Sequence, residues 1–364
     1  VAKGMAGISK LYEQGVKKHS FTKVEARAGL DRVSPTTAEV PLKNVDLVIE
    51  AAVEKMNLKK EIFRKLDEQA GLETILATNT SALSVTELAG ATSHPERVVG
   101  IHFFNPVHKM QLVEVIVAKQ TSPDVIRRAV KYVQQIGKLP VVVKDSPGFL
   151  VNRILMPYLL EAGHLFECGA QIENIDEAML EFGMPMGPLR LIDEVGVDVS
   201  QHVAENLAGH YTERMQVPEV LNHMMKAGWL GRKSKKGFYN HPDGKGEAAV
   251  NAEMAKFKKE TSAAGLTREE LRTRMVMLMI NEAARCLEEQ IVDEPADVDL
   301  GMIMGTGFAP FLGGPLRFAE YLGLEQVVEE LKRLEAKHGP KYKPALLLEF
   351  MIKNQQTFYA EKGS

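Results

Sequence analysis

Cysteine is scarce in this chain of 364 residues, with only Cys168 and Cys286. That excludes a disulfide framework and fits a reducing compartment. An excess of one charge is missing too. Lys plus Arg number 45 against 48 for Asp plus Glu, a net charge of −3, so no basic footprint for nucleic acid exists. No run of about 18 uncharged apolar residues occurs, which argues against a membrane span. The opening residues lack the basic-plus-apolar layout of a secretory leader. Also lacking is a Gly-x-Gly-x-x-Gly turn after a strand, the device that brings a pyrophosphate against a helix N-terminus. Gly244-Lys-Gly246-Glu-Ala-Ala249 fits a looser pattern but follows Asn-His-Pro-Asp rather than a strand. Gly305-Thr-Gly307 fails because Pro310 takes the third position, and Gly4-Met-Ala-Gly7 lies within an opening helical pattern.

What is present is ordinary globular material. Hydrophobic residues make up 45% and charged residues 26%, enough for real cores. At about 100–200 residues per domain, the length suggests two or three domains. Up to residue 145 short apolar runs alternate with helical patterns. Residues 1–18, 56–70, 84–88 and 122–136 read as helices; 44–52, 74–78, 97–104, 112–117 and 140–144 read as strands. This order predicts a mostly parallel, doubly wound α/β sheet, whose ligand crevice lies beyond the carboxyl ends of the strands. After Asp145-Ser-Pro-Gly-Phe149 the strand patterns stop, and long helices with Met and Leu stripes take over.

The helical part repeats itself. Residues 155–196 and 277–323 share a Glu-bearing helix, an Ile/Val-Asp pair opening the next helix, and Gly-Pro-Leu-Arg before an acidic helix. Glu161 aligns with Glu282 and Gly187 with Gly314, the spacing drifting from 121 to 127 residues. Two copies mean a duplicated unit rather than a solenoid.

Four polar residues stand at predicted strand ends or in apolar surroundings: Ser81, His102, Glu114 and Asn152. Glu114 interrupts the apolar strand 112–117, where an unpaired carboxylate is costly. Pairing it with His102 removes that cost and makes a general base, because a carboxylate fixes the imidazole tautomer and stabilises imidazolium. Ser81 and Asn152 are short hydrogen-bonding residues suited to an oxygen that alternates between alcohol and carbonyl. Each also has a plain structural role open to it: His102 in a core, Glu114 in a surface ion pair, Ser81 in a turn and Asn152 in a first helical turn.

The segments VIEAAVE (48–54), ATNTSAL (77–83), GIHFFNPVHKMQLVEVI (100–116), VVVKDSPGFLVNRIL (141–155), GPLRLIDEVGVDV (187–199) and GRKSKKGFY (231–239) resemble L-3-hydroxyacyl-CoA dehydrogenases. The second Gly-Pro-Leu-Arg copy and NEAARCLEE (281–289) resemble the dehydrogenase half of multifunctional fatty acid oxidation enzymes. The resemblance implies a Rossmann-like domain over 1–147 and two all-α C-terminal dehydrogenase units over 148–242 and 243–364. It implies oxidation of 3-hydroxyacyl-CoA to 3-ketoacyl-CoA with NAD in beta-oxidation. His102 is then the base, Glu114 its partner, and Ser81 and Asn152 the holders of the substrate oxygen. NAD contacts map onto Ala51, Glu54, Lys59, Asn79, Asn105 and Lys233, with no metal.

Lys235 and Lys236 stand where relatives often carry a glycine and a small or polar residue. The implied partners are an upstream enoyl-CoA hydratase/isomerase domain, a thiolase β subunit and a second copy through the helical units, in a bacterial cytoplasm or mitochondrial matrix. The first strand, Gly-rich turn, first helix and ribose-binding acid of the family do not appear, and the chain opens on Val1. The expectation is therefore a chain cut within its NAD-binding domain, incomplete in its sheet and weak in NAD binding. Two competing readings are a CoA-binding or assembly module without chemistry, and another NAD(P) enzyme with a helical second domain.

Overall fold

In the computed structural model, residues 1–242, 246–259 and 261–359 are described. In chain order the principal elements are α1 (Ala2–Lys17), α2 (Lys23–Leu30), β1 (Leu47–Glu50), α3 (Met56–Gln69), β2 (Ile75–Thr78), α4 (Val85–Ala89), β3 (Val98–Phe103), β4 (Leu112–Val117), α5 (Pro123–Gln135) and β5 (Leu139–Lys144). The helical part follows with α6 (Val151–Glu167), α7 (Ile172–Phe182), α8 (Pro188–Val195), α9 (Val197–His210) and α10 (Glu219–Lys226). A two-stranded hairpin, β6 (Tyr239–Asn240) and β7 (Ala249–Val250), comes next. The chain ends with α11 (Arg268–Glu288), α12 (Pro295–Thr306), α13 (Pro315–Leu322), α14 (Leu324–His338) and α15 (Leu346–Lys353).

The chain forms two compact units: residues 1–45 with 69–72, and residues 46–68 with 73–364. In the first, α1 and α2 form a helical hairpin. Thr22 and Glu25 make a reciprocal capping box that starts α2. Gly29 lets the Tyr12 ring approach: an added Cβ would come within 2.3 Å of its hydroxyl.

The second unit contains a five-stranded sheet in the order β1-β2-β3-β4-β5. The pairs β1/β2, β2/β3 and β4/β5 are parallel, whereas β3/β4 is antiparallel. The mostly parallel reading therefore holds except at one seam. Residues 104–111, between Phe103 and Leu112, are too few for a crossover, so the chain must turn back. β1 forms one edge, with Leu47, Val48 and Ile49 half-buried.

Strand alternation gives the sheet two different faces. On one, Ile75, Ala77, Val99, Ile101, Val113 and Val115 pack against Val125, Ala129 and Val133 of α5. On the other lie Gly100, His102, Leu112, Glu114 and Ile116. There Gly100 admits Ile116 and Val85, and Gly305 of α12 rests on Leu112 and Val151. The polar pair thus belongs to the face that meets the helical part.

The two copies repeat their contacts as well as their sequence. Asp176 accepts from the N–H groups of Leu189 and Arg190 and from the Tyr239 hydroxyl. Asp299 accepts from Leu316, Arg317 and Tyr359 in the same way. The expectation that strands stop at residue 145 is corrected by the β6/β7 hairpin, whose strands of two residues are too short to leave a periodic signal. Of the looser glycine motif, Gly244 and Lys245 lie outside the described residues, and Ala249 opens β7 rather than a helix.

Candidate active site

His102 and Glu114 are register partners across the antiparallel β3/β4 seam. Directly opposed residues share a face, so their side chains meet without reaching. The His102 Nδ1 lies 2.7 Å from Glu114 Oε2, with both residues buried. A carboxylate there accepts, so Nδ1 carries the proton and Nε2 is left with its lone pair. The other Glu114 oxygen accepts from the backbone N–H groups of Leu150 and Val151, at 3.1 and 2.9 Å. These are orphan donors of the α6 N-terminus, and the helix dipole favours the negative charge they hold. Sequence alone could supply the pair. It could not supply the helix end that neutralises it.

The segment leading into α6 is conformationally unusual. Gly148 has φ +75° and Phe149, a non-glycine, φ 50°. A Cβ on Gly148 would lie 2.8 Å from Leu207 of α9. This turn sets the Phe149 ring 5.8 Å from the His102 ring, and Phe104 flanks it at 4.6 Å. In the first turn of α6, the Asn152 amide is 3.5 Å from the Ser81 carbonyl, which it reaches as donor. Asn152 is half-buried and Ser81 exposed.

The Ser81 loop is held from the β1 side. Glu54 Oε1 accepts from the N–H groups of Ser81 and Ala82 and from the Thr80 hydroxyl. Burial opposes the Glu54 charge, but Thr80, Ser81, Lys59 and Ala82 together hold its carboxyl below the usual carboxylate range. The fully buried Lys59 ammonium lies 2.9 Å from Glu50 and 3.4 Å from Glu54. Asn79 Oδ1 accepts from the Phe103 N–H at 3.2 Å, tying β2 to β3 beside His102. Ala51 and Asn105 are exposed at the carboxyl ends of β1 and β3.

Lys233 behaves differently. Its ammonium pairs with Asp198 of α9, and the stem crosses Gly196. The predicted residues on the sheet and at the start of α6 therefore gather, while Lys233 engages a partner of its own.

The sequence alone does not single out Glu50, Asp145 or Asn206. Glu50 closes an apolar strand and is buried against Lys59 and the Thr78 hydroxyl, the same signal that exposed Glu114. Asp145 ties the Ser81 loop to the α6 entry by accepting from the Ser84 hydroxyl and the Thr86 N–H, both at 2.7 Å. A cavity of about 640 Å³ lies beside this junction, lined by Ala82, Leu83, Asp145, Pro147, Asn206 and His210 among others. Periodicity can mark Asn206 and His210 as one helix face, but not what that face meets.

The residues present fit one end of a dinucleotide. Polar groups sit at the carboxyl ends of β1, β2 and β3, the side on which open α/β sheets bind their ligands. No strand in the sequence is followed by a Gly-rich turn for the pyrophosphate.

Residues 1–146 match the family described as 3-hydroxyacyl-CoA dehydrogenase, NAD binding domain. Residues 148–241 and 271–362 match 3-hydroxyacyl-CoA dehydrogenase, C-terminal domain. A fatty acid oxidation complex subunit alpha of Shewanella amazonensis is 41% identical over 355 residues, covering 96% of this chain and 50% of that protein. The corresponding subunit of Vibrio parahaemolyticus is 40% identical over 350 residues, again with 96% and 50% coverage. The chain thus spans about half the length of these curated relatives. Among solved structures, 3-hydroxybutyryl-CoA dehydrogenase of Escherichia coli superposes with a TM-score of 0.86 at 27% identity, covering 97% of this chain and 91% of that one. The dehydrogenase part of multifunctional enzyme 1 from C. elegans gives 0.66 at 28% identity, with 94% and 80% coverage. The chain belongs to the 3-hydroxyacyl-CoA dehydrogenase family.

Proposed function

We propose that this chain carries the dehydrogenase chemistry of fatty acid beta-oxidation, converting an L-3-hydroxyacyl-CoA to the 3-ketoacyl-CoA with NAD. The observation that carries this reading is the buried His102–Glu114 pair, with Asn152 and Ser81 beside it. The Nε2 lone pair of His102 takes the 3-hydroxyl proton. Glu114, fixed by two N–H groups, holds the ring in the productive tautomer and stabilises the imidazolium that forms. Asn152 and Ser81 hold the substrate oxygen as it becomes a carbonyl. In the reverse direction the protonated ring returns the proton. Phe104 and Phe149 keep water from the ring, and the cavity along Pro147, Asn206 and His210 offers room for part of the substrate. Bound in this crevice, NAD would supply the acceptor for the hydride that leaves C3. Glu54, Lys59 and Asn79 fit its nicotinamide-ribose end; Ala51 and Asn105 border the same crevice, and we assign Lys233 a supporting contact only if it leaves Asp198.

We further propose the division at 147/148 and 242/243 as that between the NAD-binding domain and two helical units. The relatives' name as the alpha subunit of a complex, together with the half of their length that this chain spans, supports a hydratase/isomerase domain in the parent protein; with it we propose a thiolase partner, pairing through the helical units and a bacterial cytoplasm. No helix among the described residues is long and apolar enough to cross a membrane.

The deciding test is acetoacetyl-CoA-dependent oxidation of NADH by the chain and by His102→Gln, with NAD binding titrated in parallel. Turnover abolished by His102→Gln is expected. A folded chain that binds NADH and acetoacetyl-CoA yet turns over neither overturns the reading.

A further inference from the structure

The duplicated helices exchange buried charges reciprocally. Arg153, near the start of α6, donates from Nε to Glu282 of α11 at 2.8 Å. Arg274, in the second turn of α11, donates from Nε to Glu161 of α6 at 2.7 Å. Glu161 and Glu282 are both buried, as are Arg153 and Arg274. The two crossings are counterparts in the repeat, yet their surroundings differ. Around Glu282 gather Arg214 at 3.0 Å and Arg285 at 3.2 Å, and the guanidinium groups of Arg153 and Arg214 each lie 4.6 Å from the centre of the Tyr211 ring. Arg153 also meets Glu289 at 2.9 Å. Around Glu161 the third member is Lys341.

The helix starts differ as well. Arg153 is the neighbour of Asn152 and sits in the turn whose N–H groups, from Leu150 and Val151, grip Glu114. Arg274 lies in the second turn of α11, whose start is capped by its own Thr267–Glu270 box, and has no such duty. A fully buried guanidinium cannot leave its carboxylate without a large cost, so the pair fixes the rotation of the first α6 turn. Building on the proposed function above, we infer that Glu282, in the second helical copy, is a positioning residue: through Arg153 it sets the first turn of α6 and with it Asn152 and the two donors that hold Glu114. The second copy is then a working part of the site, acting from about one helix diameter away.

The symmetry of the repeat supplies the control. Glu282→Gln and Arg274→Gln each break one buried crossing from the same helix, and both lower the melting temperature. With 15N-labelled histidine and backbone amides in the full chain, the His102 Nδ1 proton and the Leu150 and Val151 amide resonances are expected to move in Glu282→Gln and stay fixed in Arg274→Gln. Where turnover is measurable, kcat falls on the order of tenfold in Glu282→Gln with KM little changed, and Arg274→Gln matches the parent. Glu282→Asp, which keeps the charge, restores the resonances in part and decides the matter if Glu282→Gln does not fold. Equal stability losses with His102, Leu150 and Val151 resonances undisturbed in the Glu282 variants overturn the inference. The resonances answer even if the chain proves inactive, so failure here is separable from failure of the dehydrogenase reading.

Discussion

Glu114 faces two directions at once: its Oε2 lies 2.7 Å from the His102 ring, while its Oε1 takes the N–H groups of Leu150 and Val151. Every neighbour is a donor, so only a residue with two acceptor oxygens satisfies them all. Glu114→Gln keeps the shape but turns an NH2 toward one donor or the other. It is expected to cost about 1–3 kcal/mol of stability. It is also expected to lower kcat for acetoacetyl-CoA reduction by roughly 10²–10⁴, the worth of general acid–base catalysis by a positioned imidazole. A loss under about tenfold, with the protein folded, would mean that the carboxylate does not orient the imidazole.

The buried lysine at the other wall makes a stability prediction. Lys59 is enclosed and lies between Glu50 and Glu54, of which Glu50 is nearly as buried. Lys59→Met leaves the Glu50 charge without its partner, and losing one member of a buried pair costs about 3–5 kcal/mol. Adding Glu50→Gln removes the stranded charge and should recover more than half of that. Urea unfolding of the two single variants and the double variant measures the coupling. Additive losses would show that the pair carries no mutual stabilisation.

Much of this site was legible because its elements are short, apolar and separated by clear helices. The strand 112–117 is legible to its ends, since Glu114 is the one polar residue in a run that is otherwise Leu, Val and Ile. The antiparallel seam was legible only in the shortness of 104–111, which a reading by composition passes over. Helix Lys23–Leu30 leaves no periodic signal because it buries only Ala26 and Gly29 and has no apolar stripe; its mark in the sequence is the Thr22–Glu25 box. The reciprocal ion pairs stayed hidden for another reason. The same 121-residue spacing that aligns Glu161 with Glu282 aligns Arg153 with Arg274, but no spacing within a helix tells which charge it meets across a neighbour. Lys233, carried over by resemblance, pairs with Asp198 of α9, a contact that no motif spacing marks.

The paired aspartates predict an unusual pH response. Burial pushes the carboxyls of Asp176 and Asp299 up to about 6, against the pull of the tyrosine hydroxyl and two N–H donors on each. A folded-state pKa above the unfolded value, about 3.9, means the folded protein binds more protons between those values. Each group therefore adds about 3 kcal/mol of stability as pH falls from about 7 to 4, at 1.36 kcal/mol per unit. Relative to Asp176→Asn, which does not titrate, the parent should gain stability over this window. Below it, Glu161, which Lys341 and Arg274 draw down to about 2 against the opposing effect of burial, becomes protonated and its stabilisation is lost. Denaturation at a series of pH values compares the two proteins; a difference that is flat or runs the other way refutes the assignment.

The helix caps those aspartates make depend on a glycine in each copy, and the two glycines are not equivalent. A Cβ on Gly187 would lie 2.2 Å from the Asp176 Cβ, and one on Gly314 would lie 2.4 Å from that of Asp299. Either alanine must push its aspartate off the N–H groups it caps, a loss of about 0.5–2 kcal/mol before any strain. Gly187 has φ −68°, which any residue adopts, whereas Gly314 has φ +103°. Gly314→Ala therefore carries a backbone penalty that Gly187→Ala escapes, of about 1–3 kcal/mol. Urea unfolding should rank Gly314→Ala below Gly187→Ala by that margin. Equal losses would mean that crowding against the aspartate, and not the left-handed backbone, is what excludes a side chain from both turns.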